Sequence, residues 1–348
     1  MIFLLLGIVS PFYIDYPPCK SPTQADYLEI DRLKNSQELH SKIEAIYKKE
    51  ANLLGFSRDE FAVCRNAVIT RINMGSRYKL ADPTSTHLPE KRLVKINEGG
   101  DFLVVSYADF GERRPKRLLE RMQLELERSG FNGYFYYLLG GYPTPRGIEL
   151  NYSSTPYAFK IFIMEEAKKL GFKYVLWLDS RLIPLKNITP LFNMLKQYKG
   201  LFNLTVSLEE GRVFKQARES ILELTKTDIF KNRTISTPVF GLRMDEQQSC
   251  DLIDDFYLGC TIGLPFFSCY PEETLLSALI AKHFPNTPFI SDFAPKEARH
   301  LFYYSHYKQT DQKIALYAKK MDYYFFGISN EGVMDIFDLL IPLNLKGN

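Results

Sequence analysis

The sequence predicts an α/β protein with a mostly parallel central sheet flanked by helices, preceded by a helical N-terminal extension. Three observations predict this fold class. From about residue 100 onward, short apolar runs alternate with amphipathic stretches long enough for three or four helical turns. Glycines follow several of these segments, as expected where a helix or strand ends. Alternation of this kind indicates a sheet covered by helices on both faces.

The alternation can be followed segment by segment. Strands are predicted over residues 102–107, 133–139 and 173–178, and helices over 114–129, 157–170 and 187–198. The strands are apolar runs without the alternation of a half-exposed sheet, which is typical of strands buried on both faces. In such sheets, ligands bind beyond the carboxyl ends of the strands, so the residues that follow each strand are the candidates for function.

The rest of the chain is divided by composition. We predict an irregular arm or signal segment over residues 1–23, a helical N-terminal region over 24–99, the main domain over 100–330 and a C-terminal tail over 331–348. Residues 74–99 are polar and interrupted by glycine and proline, and they are interpreted as the boundary before the main domain.

Charge and cysteine content limit the classes of protein. Lys and Arg number 44 and Asp and Glu 41, a net charge of +3, which argues against a nucleic-acid partner and an acidic disordered tail. The five cysteines contain no Cys-x-x-Cys pair, and free thiols in a reducing compartment are expected. A cytoplasmic location is therefore favoured. The apolar run at residues 2–9 and four Asn-x-Ser/Thr sequons leave secretion or export open. Membrane association is left open too, although no feature of the sequence indicates it.

Asp179 is the first candidate functional residue, because it follows the apolar strand Val175-Leu-Trp-Leu directly. At this edge of the sheet a carboxylate is placed to meet a metal ion or a ribose hydroxyl. The alternative is a loop aspartate that accepts hydrogen bonds from nearby backbone N–H groups.

Three segments around Asp179 resemble the sugar-donor half of the GT-A-type nucleotide-sugar glycosyltransferases, a Rossmann-like fold. They are Tyr157-Ala-Phe-Lys160, Gly171-Phe-Lys-Tyr-Val-Leu-Trp-Leu-Asp179-Ser180 and Ile188-Thr-Pro-Leu-Phe192. The resemblance covers roughly residues 100–310. It implies a transferase of glycan biosynthesis that moves a sugar from a nucleotide-diphosphate sugar to a hydroxyl group of a glycan, lipid or protein.

The Asp-x-Asp motif of that family is altered in this chain. Asp179 matches the first aspartate, whereas Arg181 stands where the family has the last, which holds Mn²⁺ or Mg²⁺. Two solutions are open. Asp179 holds the metal together with a later residue, for which the resemblance suggests His306, or Arg181 itself neutralises the diphosphate without a metal. Metal dependence is slightly favoured, because a divalent cation carries more charge than one guanidinium group.

Further contacts to the sugar donor are implied by the resemblance. Ser106, Tyr107 and Asp109, at the end of the first strand, stand where the family holds the base and ribose. Lys160 resembles a basic residue that faces the donor, and Ser180 is the middle residue of the altered motif. The alternative is that these side chains have ordinary structural roles.

The resemblance also implies an acceptor side. Phe240 and Gly241 resemble the floor of the sugar and acceptor pocket. Glu272 and Glu273 open a helix where relatives carry the base of an inverting transfer, because the acceptor hydroxyl must lose a proton. The alternative is structural, since proline followed by two acidic residues is an ordinary helix start.

Two other functions compete with catalysis. Arg181 in place of an aspartate favours a non-catalytic nucleotide-sugar or glycan-binding protein of the same fold. The apolar N-terminus and the sequons favour an exported envelope protein. Fold alone does not separate these classes.

Overall fold

The computed structural model describes residues 89–109, 115–153, 155–204, 213–293, 303–304 and 326–328. Several predictions lie outside these ranges: the arm over residues 1–23, the helices predicted before residue 89, His306 and the tail over residues 331–348. In the described part of the chain, no helix combines the length and the apolarity that crossing a membrane requires.

The main sheet has six strands in the order β1–β3–β2–β4–β7–β6. Its strands are β1 (Glu90–Ile96), β2 (Phe102–Ala108), β3 (Gly133–Leu139), β4 (Tyr174–Leu178), β6 (Gly200–Leu204) and β7 (Ile235–Arg243). The central strands β3, β2 and β4 are parallel, whereas β1 and β7 run antiparallel to their neighbours. Since β6 is antiparallel to β7, it runs in the same direction as β4. The predicted α/β class with a mostly parallel sheet is confirmed.

Helices cover both faces of this sheet. They are α1 (Pro115–Arg128), α2 (Phe159–Lys169), α3 (Thr189–Tyr198), α4 (Lys215–Thr225), α5 (Gln247–Ile262) and α6 (Pro271–His283). Residues of α2, α4, α5 and α6 share one apolar cluster with the sheet, and those of α1 and α3 share a second. A smaller sheet consists of β5 (Leu182–Pro184), β8 (Tyr303–Tyr304) and β9 (Phe326–Ile328), with β9 paired between the other two.

The local sequence explains the bounds of α1. Leu119, Met122 and Leu126 recur at helical spacing and are fully or almost fully buried against the sheet. The chain leaves the helix at Gly130, whose φ of +73° is a backbone conformation that glycine adopts without strain. The helix predicted over residues 114–129 is therefore observed within a residue at each end.

Strand β1 was not predicted from the sequence. Residues 90–96 fall in the stretch interpreted as a domain boundary, but they pair antiparallel with the whole of β3. Four of the seven residues of β1 are charged and only Lys91 and Ile96 are buried, as expected of a strand at the edge of a sheet. The sheet therefore begins before residue 100, because pairing with β3 outweighs the polar composition of the segment.

The cysteine prediction also needs correction. Cys250 and Cys260 are free thiols, as expected, but Cys269 is disulfide-bonded. A disulfide is typical of an oxidising compartment rather than of the cytoplasm. The cellular location itself stays a prediction.

A buried carboxylate joins β1 to the rest of the fold. Glu166, on α2, accepts hydrogen bonds from the Lys91 ammonium at 2.8 Å, the Tyr136 hydroxyl at 2.7 Å and the Thr144 backbone N–H at 2.9 Å. The side chains of Lys91 and Glu166 have no exposed surface. This ion pair ties the edge strand, β3 and the loop after β3 to one helix.

We predict that Lys91→Met will destabilise the protein by about 3–5 kcal/mol, because it leaves the Glu166 carboxylate charged and buried without this cation. The double variant Lys91→Met/Glu166→Gln removes both charges and should recover much of the loss. Urea unfolding measures the free energies. As a control, Lys173→Met breaks an exposed pair with Asp245 at 3.8 Å and should change stability by less than about 1 kcal/mol. Equal stability of Lys91→Met and the unchanged protein would contradict the prediction.

Candidate active site at the carboxyl edge of the sheet

The carboxyl ends of β2 and β4 lie side by side at one edge of the sheet. The two strands are parallel neighbours, and the Ser106 hydroxyl donates a 2.7 Å hydrogen bond to the Leu178 carbonyl oxygen. Asp109 and Asp179 therefore both lie at the carboxyl edge, where the sequence predicted them, and the structure adds that they follow adjacent strands. Strand β7 is antiparallel to β4, so its first residues lie at the same edge.

A β-bulge shapes the start of β7. Pairing with β6 shifts from Phe240 opposite Phe202 to Ser236 opposite Asn203, so residues 237–239 have no partner on β6. Proline lacks an N–H for a sheet ladder, and Pro238 lies within this irregular stretch. The bulge leaves the Thr237 N–H free of β6, and this group donates to Glu273 Oε1 at 3.0 Å. On the other side of β7, the Pro238 carbonyl accepts the Asp179 N–H at 2.9 Å and continues the pairing with β4. Bulges often redirect side chains next to active sites in this way.

Lys160 is the cation at the centre of the site. Its ammonium donates to Glu272 Oε1 and to Thr237 Oγ1, both at 2.8 Å, although the residue is only 4% exposed. Burial disfavours the charged form, but the carboxylates of Glu272, Asp179 and Glu273 outweigh burial and raise the pKa of Lys160 above its ordinary value. The ammonium group is therefore charged, and its charge is offset by these acidic neighbours. A sugar-donor phosphate would have to compete with Glu272 for it.

The two glutamates at the start of α6 have different surroundings. Glu272 is buried and bonded to Lys160 and to the Thr237 hydroxyl, the latter at 2.8 Å. Glu273 is more exposed than Glu272, and its Oε1 accepts from the N–H and hydroxyl of Thr237. Burial and, next, the charge of Glu272 raise the pKa of Glu273 above its usual value, while the Thr237 hydrogen bonds and Lys160 oppose the rise. Of the two, Glu273 has the properties of a group that exchanges a proton with a ligand.

Asp179, Ser180 and Arg181 form a tight turn after β4. Asp179 Oδ1 accepts the Arg181 N–H at 3.1 Å, which is the backbone-capping role considered for this residue. The Asp179 side chain nevertheless remains partly exposed, the Arg181 residue is exposed, and Ser180 is buried. A carboxylate and a guanidinium group are therefore presented together at the edge where ligands bind.

The metal site implied by the sequence resemblance is not formed by the described residues. His306 lies outside them, and within them no group of three or more His, Cys, Asp or Glu side chains is arranged to hold a metal ion. Asp179 by itself supplies too few hard oxygen ligands for Mn²⁺ or Mg²⁺. The carboxylates of Asp179, Glu272 and Glu273 instead lie around the ammonium group of Lys160.

Two of the predicted donor contacts, Ser106 and Tyr107, lie in the core instead of on a binding surface. Ser106 is fully buried, and Tyr107 packs on Phe159 at 4.6 Å between ring centroids while its hydroxyl donates to the Gly141 carbonyl. Both residues use their polar atoms to hold the sheet edge together. Tyr107 is 3% exposed, so its ring face has no room for a stacked base.

The predicted acceptor floor is also internal. Phe240 is 1% exposed and lies in the middle of β7, opposite Trp177. A side chain at Gly241 would approach Leu176, Leu195 and Leu201 at 3.3 Å. These positions face packed strands and helices, so they do not line a pocket.

Asp109 is 6% exposed and lies directly after β2, and its contact with a sugar donor stays a prediction.

Sequence analysis missed two residues of the site. Thr237 was not predicted to contact Lys160 or the two glutamates, although Pro238 within a strand was a sign of the bulge that places it. Tyr157 adopts a φ of +58°, which is strained for a residue with a side chain, and its ring centroid lies 4.9 Å from the Lys160 ammonium. No local pattern announces that conformation.

Solved structures similar to this chain are glycosyltransferases, the class that the sequence resemblance named. The galactosyltransferase LgtC, in complex with donor and acceptor sugar analogues, has 12% identity and a TM-score of 0.39 over 69% of this chain and 95% of that one. A glycosyltransferase involved in glycosylation of the major capsid of PBCV-1 has 14% identity and a TM-score of 0.37 over 70% and 100%.

Mouse xyloside xylosyltransferase 1, in its apo form, has 11% identity and a TM-score of 0.35 over 67% of this chain and 99% of that one. No protein-family model and no curated protein matches the sequence. At these identities and TM-scores the similar structures do not assign an activity to this chain.

We predict that Glu273 makes stability fall as the pH rises. Its folded-state pKa lies above the unfolded value of about 4.3. The protonated form therefore favours folding, and this contribution is complete below the unfolded pKa and is lost as the pH rises through the folded pKa. Glu273→Gln, which does not ionise, should lose less stability than the unchanged protein between pH 4 and pH 8.

Urea unfolding at several pH values tests this prediction. Glu223→Gln is the matched control, because Glu223 is exposed on α4 and the same change there should leave the pH dependence as it was. Parallel stability curves for Glu273→Gln and the unchanged protein would show that Glu273 does not titrate abnormally.

Proposed function

We propose that this protein is a glycosyltransferase that moves a sugar from a nucleotide-diphosphate sugar to a hydroxyl group of a glycan, lipid or protein. The observation that supports it is the convergence of four separate segments at the carboxyl edge of the sheet. Lys160 on α2, Asp179 after β4, Thr237 at the start of β7 and Glu273 on α6 are joined by hydrogen bonds and charge. This is the edge where α/β sheets bind their ligands.

Glycosyl transfer needs a group that takes the proton of the acceptor hydroxyl. The acceptor oxygen forms a bond to the anomeric carbon, the bond from that carbon to the phosphate oxygen breaks, and a nucleoside diphosphate leaves. Glu273 is our candidate for the proton acceptor, since it combines partial exposure with a raised pKa. Glu272 is a weaker candidate, because its carboxylate is buried and paired with Lys160.

The leaving diphosphate needs positive charge nearby. Arg181 is exposed two residues after Asp179, and a guanidinium group can bind phosphate oxygens with two hydrogen bonds. The Asp179 carboxylate, in the same turn, is suited to accept hydrogen bonds from sugar or ribose hydroxyls. In this proposal Lys160 does not bind the phosphates. Its ammonium group is hydrogen-bonded to Glu272 and holds the glutamates in position.

A screen of nucleoside diphosphates and nucleotide sugars by thermal shift tests for the ligand. At a concentration of 100 times its dissociation constant, a true ligand adds about 2.7 kcal/mol of stability. Donor hydrolysis, measured with the same compounds, then separates an enzyme from a binding protein of the same fold. Stabilisation without hydrolysis or transfer to any acceptor would favour the binding protein. If no compound is bound or hydrolysed, both functions are refuted.

We predict that Asp179→Asn will lower transfer or donor hydrolysis more than 100-fold while leaving the fold intact. Asparagine is nearly isosteric, but it lacks the charge that strengthens hydrogen bonds to the ligand. Two tenfold steps correspond to about 2.7 kcal/mol of transition-state stabilisation. Asp101→Asn is the control, because Asp101 is exposed at the opposite end of β2. Unchanged kinetics for Asp179→Asn would remove this residue from the mechanism.

We predict that Arg181→Ala will weaken binding of a nucleoside diphosphate about tenfold or more, because the guanidinium group bears the charge that offsets the phosphates. Calorimetric titration with and without EDTA measures this. Arg128→Ala, at the far end of α1, is the control. A dissociation constant unchanged by Arg181→Ala, together with activity lost in EDTA and restored by Mn²⁺, would instead assign the charge to a metal ion.

A further inference from the structure

Thr237 contacts Lys160 of α2 and both glutamates at the start of α6, Glu272 and Glu273. Its hydroxyl oxygen lies 2.8 Å from Lys160 Nζ, 2.8 Å from Glu272 Oε1 and 3.1 Å from Glu273 Oε1. Its backbone N–H donates to Glu273 Oε1 at 3.0 Å. The residue is 1% exposed, so these contacts are shielded from competing water.

The number of protons in this network limits what Thr237 can do. Its hydroxyl has one hydrogen, and the lone pairs of its oxygen accept from the Lys160 ammonium. That single hydrogen can go to Glu272 or to Glu273, and Glu272 already receives a hydrogen bond from Lys160. Among the hydrogen bonds of the described residues, Glu273 receives none from Lys160, and its other donor is the uncharged Thr237 N–H. The Glu272 carboxylate is offset by the Lys160 charge, so we assign the hydroxyl hydrogen to Glu273, although the hydroxyl oxygen lies closer to Glu272.

We propose that Thr237 is a positioning residue that holds the Glu273 carboxylate ionised and oriented for reaction, and that links it to the charge on Lys160. This inference rests on the proposed function, in which Glu273 takes the acceptor proton. Hydrogen bonds to a carboxylate favour its ionised form. Thr237 therefore opposes the effects of burial and of Glu272, and keeps Glu273 able to accept a proton near neutral pH.

The β-bulge is what makes this arrangement possible. In a regular ladder the backbone of residue 237 would pair with β6, but the register shift leaves residues 237–239 unpaired there. The Thr237 N–H is then available to Glu273. The Pro238 carbonyl faces β4 instead, and its hydrogen bond from the Asp179 N–H continues the regular pairing of β4 with β7. Adjacent residues of β7 thus contact Glu273 and the Asp179 backbone.

The experiment compares Thr237→Val with Thr237→Ser. Valine has nearly the shape of threonine without the hydroxyl, whereas serine keeps it. With Thr237→Val, we expect the acidic limb of the pH profile of kcat to move up by about one pH unit, since one charge-assisted hydrogen bond to Glu273 is lost. The KM for the sugar donor should stay within about twofold, and Thr237→Ser should restore the original profile.

Thr225→Val is the matched control. Thr225 is also a buried threonine, but its hydroxyl bonds to the Ile221 carbonyl within α4 and, within the described ranges, to no carboxylate. If Thr237 had a merely structural role, both valine variants would lose stability and neither would move the pH profile. That result would overturn the inference. If Thr237→Val does not fold, Thr237→Ala serves in its place, because it also lacks the hydroxyl.

A second readout does not depend on activity. Carbon NMR titration of the glutamate carboxyl groups, with the Glu273 signal assigned by its loss in Glu273→Gln, measures the midpoint of Glu273 directly. We expect Thr237→Val to raise this midpoint by about one unit and Thr237→Ser to leave it unchanged. A protein that transfers no sugar but shows this shift would refute the proposed function and support the role of Thr237. An unshifted midpoint would refute the role of Thr237 whatever the activity.

Discussion

The ion pair between Lys160 and Glu272 is the interaction on which the candidate site depends. It joins α2 to α6 across 112 residues of sequence, and the Thr237 hydroxyl closes the contact from β7. Both charged side chains are almost completely buried. A buried pair of this kind gains its stability only if both partners are present and further hydrogen bonds satisfy them, which is the arrangement observed. The pair therefore fixes the relative positions of three elements at the edge of the sheet.

Helix α2 carries a second buried ion pair on a different part of its surface. Glu166 pairs with Lys91 from the edge strand and also binds the backbone at Thr144. This eleven-residue helix therefore bonds to the edge strand β1 through Glu166 and to the candidate site through Lys160. Buried charges are costly when they are misplaced, so the two pairs make alternative packings of this helix unfavourable.

Sequence reasoning succeeded where the information is local. The ends of β2 and β4 follow from apolar runs that end in polar residues, and Asp179 was placed at the carboxyl edge because it directly follows the apolar run of β4. It failed where a residue's role depends on what lies across the sheet. Tyr107 and Phe240 were expected to touch ligands, but their rings fill the core, since aromatic side chains serve packing and binding equally well in a sequence. Strand β1 was missed because its partner β3 lies about 40 residues away.

The sequence by itself determined the α/β class, the bounds of six of the seven helices and strands between residues 102 and 198 to within two residues, and the position of Asp179. These are set by hydrophobic periodicity and by residues that end helices, both of which act over short distances. The tertiary structure alone decided that Lys160 is bound to Glu272, that Glu273 and Glu272 differ in environment, and that Thr237 lies between them. Those facts depend on the burial and charge that segments from three parts of the chain create together, and no local pattern of residues encodes such a sum.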